Sequence, residues 1–547
     1  GGQDDAHYVH HEYYDVLANP DITDKLEVAK VTEDSAGTQV LRYSHYSYEG
    51  ARGNMTESSD WLDSLGSDPN DPSNWITESF EYDPTFGNLN RSTDAEGLVT
   101  EITYDATYHM FPEVTTLDPG GHAFDTLRCF DPLSGKIVTT TDLNGVASEQ
   151  QYDEFHRPTT SWVHVPGGGT IWEATVEYGL GGVTGGVSSN FERRRANDGF
   201  DLVNGHESFV YLDGFGRVIQ LRVEAEPGAA GEYRVTSIGY DLRGVEEYRS
   251  RTSFQSGSLF VPFTTTSLGT HTSFDPIGRR STVTPPPGDP GSPSGPSFVL
   301  YRDLAVSDPW SRIEEDPGGR RVVSRLDAYG RVRQIEEITS SGAYVTKLDY
   351  DHFGNMTRIQ DSATPPNVSI MQFDSLGRKT ALQDPDMGAW SYGYDRADRL
   401  TLEVDAKGQA TVIVYDHLGR DERKEIFDGS GNLTETVVYE YDQSPGTVHN
   451  VWPGQLFKVT DGQGWVKFGY DIRGRLLRTT RQVDAVGMKY VLEYEYDDAG
   501  NVRKLTYPGD IASLAYEYTS GGKLSRIDSL SGTGGRHRFY LVDPHND

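Results

Sequence analysis

The feature that most restricts this chain is a short unit repeated along most of its 547 residues. Sixteen times an aromatic or apolar residue followed by aspartate leads into a tight turn, and nine of those turns read Asp-x-x-Gly-(Arg/Asn). The nine pair Asp213 with Gly216, Asp275 with Gly278, Asp327 with Gly330, Asp351 with Gly354, Asp374 with Gly377, Asp416 with Gly419, Asp428 with Gly431, Asp471 with Gly474 and Asp497 with Gly500. Arg217 and its counterparts follow the glycine, and the aspartate is preceded by Phe274, Tyr350, Phe373, Tyr415, Phe427, Tyr470 or Tyr496 in seven copies. Looser copies stand at Tyr82-Asp83, Tyr104-Asp105, Phe130-Asp131, Tyr152-Asp153, Tyr240-Asp241, Tyr394-Asp395 and Tyr441-Asp442; His156 and Asp398 replace glycine in two of them. Units this short cannot bury a face alone and must stack on their neighbours, so the repeat sets the architecture.

Spacing identifies the unit. From Asp351 the next aspartates, Asp374, Asp395, Asp416, Asp442, Asp471 and Asp497, follow at steps of 23, 21, 21, 26, 29 and 26 residues. A second Asp-x-x-Gly falls between several of them, at Asp405, Asp428, Asp461 and Asp484. Two strands of about five to seven residues and two turns fill one step, so each unit is one β-hairpin. Tyr490, Leu492, Tyr494 and Tyr496 alternate with Val491, Glu493 and Glu495, which puts aromatics on one face and acids on the other. The aspartate caps backbone NH groups of the turn, and the glycine supplies the positive φ of a type I turn closed by a G1 bulge. One aspartate per loop is too few for calcium, which needs several oxygens converging. The densest oxygen cluster, Asp68, Asn70 and Asp71, reads as an acidic loop.

The expected class is all-β: hairpins forming one long sheet, its aromatics stacked from hairpin to hairpin. Residues 1–77 read as a lead-in or cap, and 78–283 as a first part of the repeat array with irregular insertions. Residues 284–297, rich in Pro, Gly and Ser, cannot pair as a strand. They are either a domain linker or a long loop, and repeats on both sides favour the loop. Residues 298–547 hold the densest repeats, and the chain, opening on Gly-Gly, looks like a piece of something longer.

Net charge is −34, from 49 basic and 83 acidic residues, which repels nucleic acid and anionic membrane and tolerates a basic cargo. No apolar run is long enough to cross a membrane, so no membrane insertion by this segment is expected. The single cysteine, Cys129, sits in a strand-like stretch and reads as a small buried apolar residue. His7, His10 and His11 have a spacing that suits a metal on a helix, but the interleaved Tyr8, Tyr13 and Tyr14 favour an aromatic-rich lead-in. No phosphate-cradling, zinc-binding or serine-nucleophile motif occurs. The chain therefore reads as non-enzymatic, with no catalytic residue, metal or cofactor assigned.

The unit (Tyr/Phe)-Asp-x-x-Gly-(Arg/Asn)-(Leu/Val/Met)-x-x-(Ile/Leu), seen at residues 350–359 and 496–505, resembles the YD repeat of the Rhs family. That family includes Rhs polymorphic toxins, the B and C subunits of insecticidal toxin complexes, and the teneurins. Residues 209–219 and 239–244 resemble the middle region of the bacterial B subunits. The resemblance covers roughly residues 78 to 540, and its specificity lies in recurrence. It implies that the YD-repeat hairpins form a long spiralling sheet that closes into a hollow shell, or a segment of one, in a bacterial, secreted or cell-surface protein whose shell encloses its own C-terminal effector, loaded or released with a secretion or delivery apparatus. The alternative is an extracellular adhesin or surface filament that binds carbohydrate or protein through its sheet. Rhs toxins continue into a core with protease aspartates, and residues 542–547 resemble only the run-up to it.

Overall fold

The computed structural model describes residues 8–13, 25–33, 35, 39–49, 52–63, 68–118, 120–121, 123–180, 190–197, 205–225, 232–263, 268–286, 295–302, 310–442, 453–510, 512–519, 523–530 and 536–541. Among them are 42 strands, two 3-10 turns and no α-helix. The chain is all-β. Its strands form one long antiparallel ladder in which almost every strand pairs with those before and after it, as Gly342–Tyr350 does with Met356–Gln360 and that strand with Val368–Phe373. At the aromatic before each turn the register slips by one residue, for example at Tyr350, Tyr415 and Tyr496, which is the bulge that closes a type I turn.

Most of the strip is one layer thick. Every residue of Met356–Gln360 and of Ala410–Tyr415 is half-buried, on both faces alike. A sheet with solvent on both sides gives that pattern; one packed on a core alternates buried with exposed. This corrects the reading of Cys129: it lies on the strand Phe124–Phe130, but it is exposed, on the face it shares with the exposed Asp125 and Leu127.

The ladder forks once. Residues 233–235 of Tyr233–Tyr240 pair with Ser253–Gln255, whereas residues 238–240 pair with Glu246–Ser250, which continues to Gly269–Phe274. Beside the fork the chain folds back to bury Phe209, Tyr211, Tyr233, Val235 and Phe260, with Phe191 and Ile219 against them. Further on, the strands Arg280–Thr284 and Ser297–Arg302 pair directly, Thr282 opposite Phe298, so the sheet is continuous there; Thr284 and Ser297, expected to stay outside the strands, are paired with His271 and Val283.

The strip also coils back on itself. Ser375 bonds Trp61 and Asp63, 314 and 312 residues earlier, and Arg42, 333 earlier. Arg396 meets Glu96 at a separation of 300, and His417 meets Asp118 at 299. An unbroken ladder that meets itself again at offsets of 299 to 333 residues makes one circuit in about that length.

Candidate functional site

Two sets of contacts build the wall: one within and between YD turns along the strip, the other across the seam between successive circuits. In the first set, Asp213 N donates to Arg217 O at 2.9 Å and Gly216 N to Asp213 O at 3.0 Å. The Asp213 carboxylate accepts from Phe215 N and Arg217 N at 2.9 Å each, and from Arg217 Nε at 2.8 Å. The bond from the following arginine recurs at Asp275, Asp327, Asp374, Asp395, Asp416 and Asp471; at Asp351, Asp428 and Asp497 an asparagine amide replaces the guanidinium. Asp83 accepts from Thr85 N and Phe86 N in its longer turn, and Asp241 holds Arg243. Gly216 has φ 78°, and turns without glycine force His109 to 54°, His156 to 56° and Asp398 to 62°. That conformation costs an L-residue roughly 1–2 kcal/mol.

Burial raises the Asp327 carboxyl, yet hydrogen bonds from Arg331 and Tyr329 outweigh it and hold the group below its ordinary value. Asp213 and Asp275 are lowered through the same balance of burial against bonds from their own arginines.

Each tyrosine links its hairpin to the one before. Tyr350 OH donates to Val332 O at 2.8 Å, Tyr394 OH to Lys379 O at 2.9 Å, Tyr415 OH to Leu400 O at 2.8 Å, Tyr470 OH to Leu456 O at 3.0 Å and Tyr496 OH to Leu476 O at 2.8 Å. Tyr240 does the same with Val218 O at 2.8 Å. The arginine of the preceding turn lies over the ring: Arg217 on Tyr240 at 4.6 Å, Arg399 on Tyr415 at 4.7 Å, Arg475 on Tyr496 at 4.8 Å. Arg378 Nη1 and Arg475 Nη1 also reach the carbonyls of the next aspartates, Asp395 and Asp497, at 2.9 Å each. One guanidinium thus closes its own turn and clamps the next. The phenylalanines that end Gly269–Phe274, Val368–Phe373 and Asp421–Phe427 carry no hydroxyl for this bond.

This differs from the expected stacking of aromatics along the sheet. Ring pairs among the described residues are concentrated between His11 and His271, as in Phe111–Phe130 and around Phe209. In the dense array the tyrosines bind arginine and backbone instead, because neighbouring YD tyrosines belong to strands two apart, about 9–10 Å away, beyond ring contact.

In the seam, the YD tips of the second circuit rest on the opposite edge of the first. Ser375 is buried: its N donates to Asp63 Oδ1 at 2.9 Å, its Oγ donates to Trp61 O at 3.0 Å and accepts from Asp63 N at 3.2 Å, and its carbonyl accepts from Arg42 Nε at 2.8 Å. The Arg42 guanidinium lies 4.4 Å from the Phe353 ring. Arg396 N donates to Glu96 Oε1 at 2.9 Å, and His417 Nε2 is 2.7 Å from Asp118 Oδ2. Beside them a cleft of about 290 Å³ has Asp60, Glu78 and Asp94 on one wall and Arg396 and Asp398 on the other. Here Asp374 and Arg378 form the most enclosed turn pair, 2.7 Å apart, with side chains 1% and 10% exposed.

The remaining sequence candidates carry local roles. Asp68 Oδ1 accepts from Asn70 N and Nδ2, and Asp71 Oδ1 from Ser73 N and Oγ. His7 lies outside the described residues. His10 and His11 are on the strand Tyr8–Tyr13, not a helix; His10 Nε2 is 3.0 Å from Thr32 Oγ1 and His11 meets the edge of the Tyr13 ring. Sequence reasoning missed Arg222, wholly buried beside the fork, where Nε donates to Gln220 Oε1 at 2.9 Å, Nη1 to Gly257 O at 2.6 Å and Nη2 to Gln255 Oε1 at 3.0 Å. Burial lowers its pKa. An Arg two residues from a Gln on one strand face is no signal by itself.

No family model matches the chain. It is 26% identical over 235 residues to teneurin-4 of Mus musculus, a stretch that is 40% of this chain and 8% of teneurin-4. It is 26% identical over 219 residues to mouse teneurin-3, covering 38% of this chain and 7% of that protein. Among solved structures, TcdB2-TccC3-Cdc42 superposes with a TM-score of 0.79 at 14% identity, covering 98% of this chain and 36% of the other. The Photorhabdus luminescens Tc holotoxin pore gives 0.78 at 14% identity, with 98% and 35% covered. The chain thus spans about a third of those structures and under a tenth of the teneurins.

Proposed function

The chain is a YD-repeat protein with the fold of the Rhs-type toxin shells, and from that premise we propose that it is a non-enzymatic section of wall enclosing a C-terminal effector until the wall opens. The observation that carries this reading is the circuit. Along the ladder from Val40–Tyr48 to Val368–Phe373 there are 24 strand steps, Ser253–Gln255 standing off it as the side branch of the fork. At about 4.8 Å per step the circumference is about 115 Å, so the backbone ring is about 37 Å across and the bore about 27 Å after side chains about 5 Å deep. A helix or extended chain about 10–12 Å wide fits such a bore, whereas a folded 250-residue domain, with a radius of gyration of about 18 Å, is about 46 Å across and does not. A cargo held there stays short of its folded, active state. The protein acts outside the cell that makes it, and its partners are the cargo polypeptide and an apparatus that delivers it.

The test is protease protection. The complete polypeptide, expressed with its native C-terminus, resists added protease at that C-terminal segment until denaturant opens the wall. Rapid digestion of the segment from an intact shell overturns enclosure and moves the reading to an adhesin that binds carbohydrate or protein through its outer face.

A further inference from the structure

One short strand stands off the ladder, and the segment it begins lies across the face of the sheet. Glu246–Ser250 pairs directly with Gly269–Phe274, Ser250 opposite Gly269, and Arg251 N donates to Leu268 O at 2.8 Å. Residues 252–267 are therefore an insertion tied at its base, which can lift without parting those two strands. Its first part, Ser253–Gln255, pairs with residues 233–235. Beyond it, side chains of the sheet hold the backbone. Arg222 Nη1 donates to Gly257 O at 2.6 Å, Tyr211 OH donates to Ser258 O, and the Gln220 amide donates to Val261 O at 2.9 Å and accepts from Val261 N at 3.2 Å. Phe260 is buried with Phe209, Tyr211, Tyr233 and Val235, and Phe263 stacks on Tyr248 at 5.7 Å. An added strand, an aromatic anchor and side chains that grip backbone are the means by which a groove holds an extended peptide.

Two features leave this closure little margin. Arg222 is wholly buried, yet its three partners are neutral oxygens: Gln220 Oε1, Gln255 Oε1 and Gly257 O. Among the described residues no carboxylate pairs with it; Glu207 is taken up by Arg193 and Tyr233, and Glu232 by Gly257 N. A buried cation without a counter-charge is costly. The segment also covers one apolar set by exposing another, Phe254, Leu259 and Val261, at 47%, 71% and 45%.

We propose that residues 252–263 are a strap lying in a peptide-binding groove, and that the occupant this groove prefers is an extended acidic peptide of a partner protein, which displaces the strap. Its carboxylate replaces the Gln255 amide at Arg222, its aromatic side chain replaces Phe260, and its backbone pairs with residues 233–235. Charge selects the occupant, because a carboxylate supplies the counter-ion that the strap withholds from Arg222. The inference does not depend on enclosure of a cargo.

Peptide binding tests it. The probes are acetylated and amidated peptides of residues 252–263, one natural and one carrying Gln255→Glu. The host is the chain with residues 252–267 replaced by Asn-Gly, a two-residue hairpin turn that joins Arg251 to Leu268. The host keeps its β circular dichroism and binds the Gln255→Glu peptide about fivefold or more tighter than the natural one, because a hydrogen bond to a charged group is the stronger. Arg222→Met in the host removes that preference. The intact chain binds either peptide at least about tenfold more weakly than the host, because the tethered strap competes. If the shortened host loses its β spectrum, Phe260→Ala in the intact chain serves as host instead, since it removes the anchor and loosens the strap. Equal binding of the two peptides, a preference for the natural one, or a preference that survives Arg222→Met overturns the acidic occupant. Binding to no host, or binding as tight to the intact chain as to the host, overturns the groove.

Discussion

Replacing Ser375 by alanine tests whether the seam holds the circuits together. The serine hydroxyl donates to Trp61 O and accepts from Asp63 N, 314 and 312 residues away in sequence. Ser375 is 3% exposed and Trp61 4%, so water does not readily replace the lost partner. Depriving the Trp61 carbonyl of this donor costs about 1–3 kcal/mol, whereas the Asp63 N–H, on an exposed residue, turns to water, so the local contact weakens by about 1–3 kcal/mol. Every 1.4 kcal/mol is a factor of ten in an opening equilibrium. Repeat arrays do not unfold as one cooperative unit, so a global melt is the wrong readout and amide exchange at the seam is the right one. The Leu62 amide, bonded to Asn74 O at 2.8 Å, exchanges about fivefold faster or more in the variant, while the amides of Ala410–Tyr415 keep their rates. Ser430→Ala, in an exposed turn, leaves Leu62 unchanged. A less than twofold change at Leu62 in Ser375→Ala would show that the seam contacts do not hold the circuits.

Three further outcomes follow from the turns. Arg378→Met leaves the Asp374 carboxylate, 1% exposed, without its cation and costs about 3–5 kcal/mol locally, whereas Arg279→Met, at a pair 33% and 17% exposed, costs about 1 kcal/mol or less; equal losses by hydrogen exchange would refute the ranking. Gly330→Val, at φ 81° with open space where a Cβ would stand, loses about 1 kcal/mol or more through backbone strain alone, and Ala328→Val in the same turn loses less; equal loss in protease-resistance titrations shows the positive φ is not what the glycine provides. Asp213, Asp275 and Asp327 have pKa values below those of the unfolded chain, so their contribution is complete above about pH 4 and is lost as pH falls through the lower folded values; turn amides exchange with constant protection from pH 7 to 5 and lose it below about 4, and a loss on going from pH 5 to 7 contradicts this.

Much of the strip was legible because its signals are local. A hairpin tip is written in five consecutive residues, and an alternating strand in six or seven, so Asp-x-x-Gly and Tyr490 to Tyr496 were readable without a fold. The clamp was not. Arg475 touches its own Asp471 and also Tyr496 and Asp497, and only the ladder register reveals that the second pair lies beside it. The seam is less legible still: Ser375 differs in no visible way from other turn residues, and its bond to Trp61 depends on the curvature summed over the whole circuit. Cys129 was misread for a related reason, since a strand sequence states which residues share a face but not whether anything covers it.

The two contact sets also differ in strength, and that difference sets how such a wall opens. Along the strip, Gly464–Tyr470 and Leu476–Val483 are matched over seven residue pairs, with the Tyr496 and Arg475 clamp added at the tip. Across the seam, the tip holding His417 meets the first circuit through its contact with Asp118, and the tip holding Arg396 through two bonds, to Glu96 and Ser73. Splitting the ladder exposes a whole row of backbone donors and acceptors, whereas parting the seam releases a few side-chain contacts that water can replace. A load that opens the wall therefore separates circuits along the seam before it breaks the strip, and the strip, with its turns still capped, can close again in register.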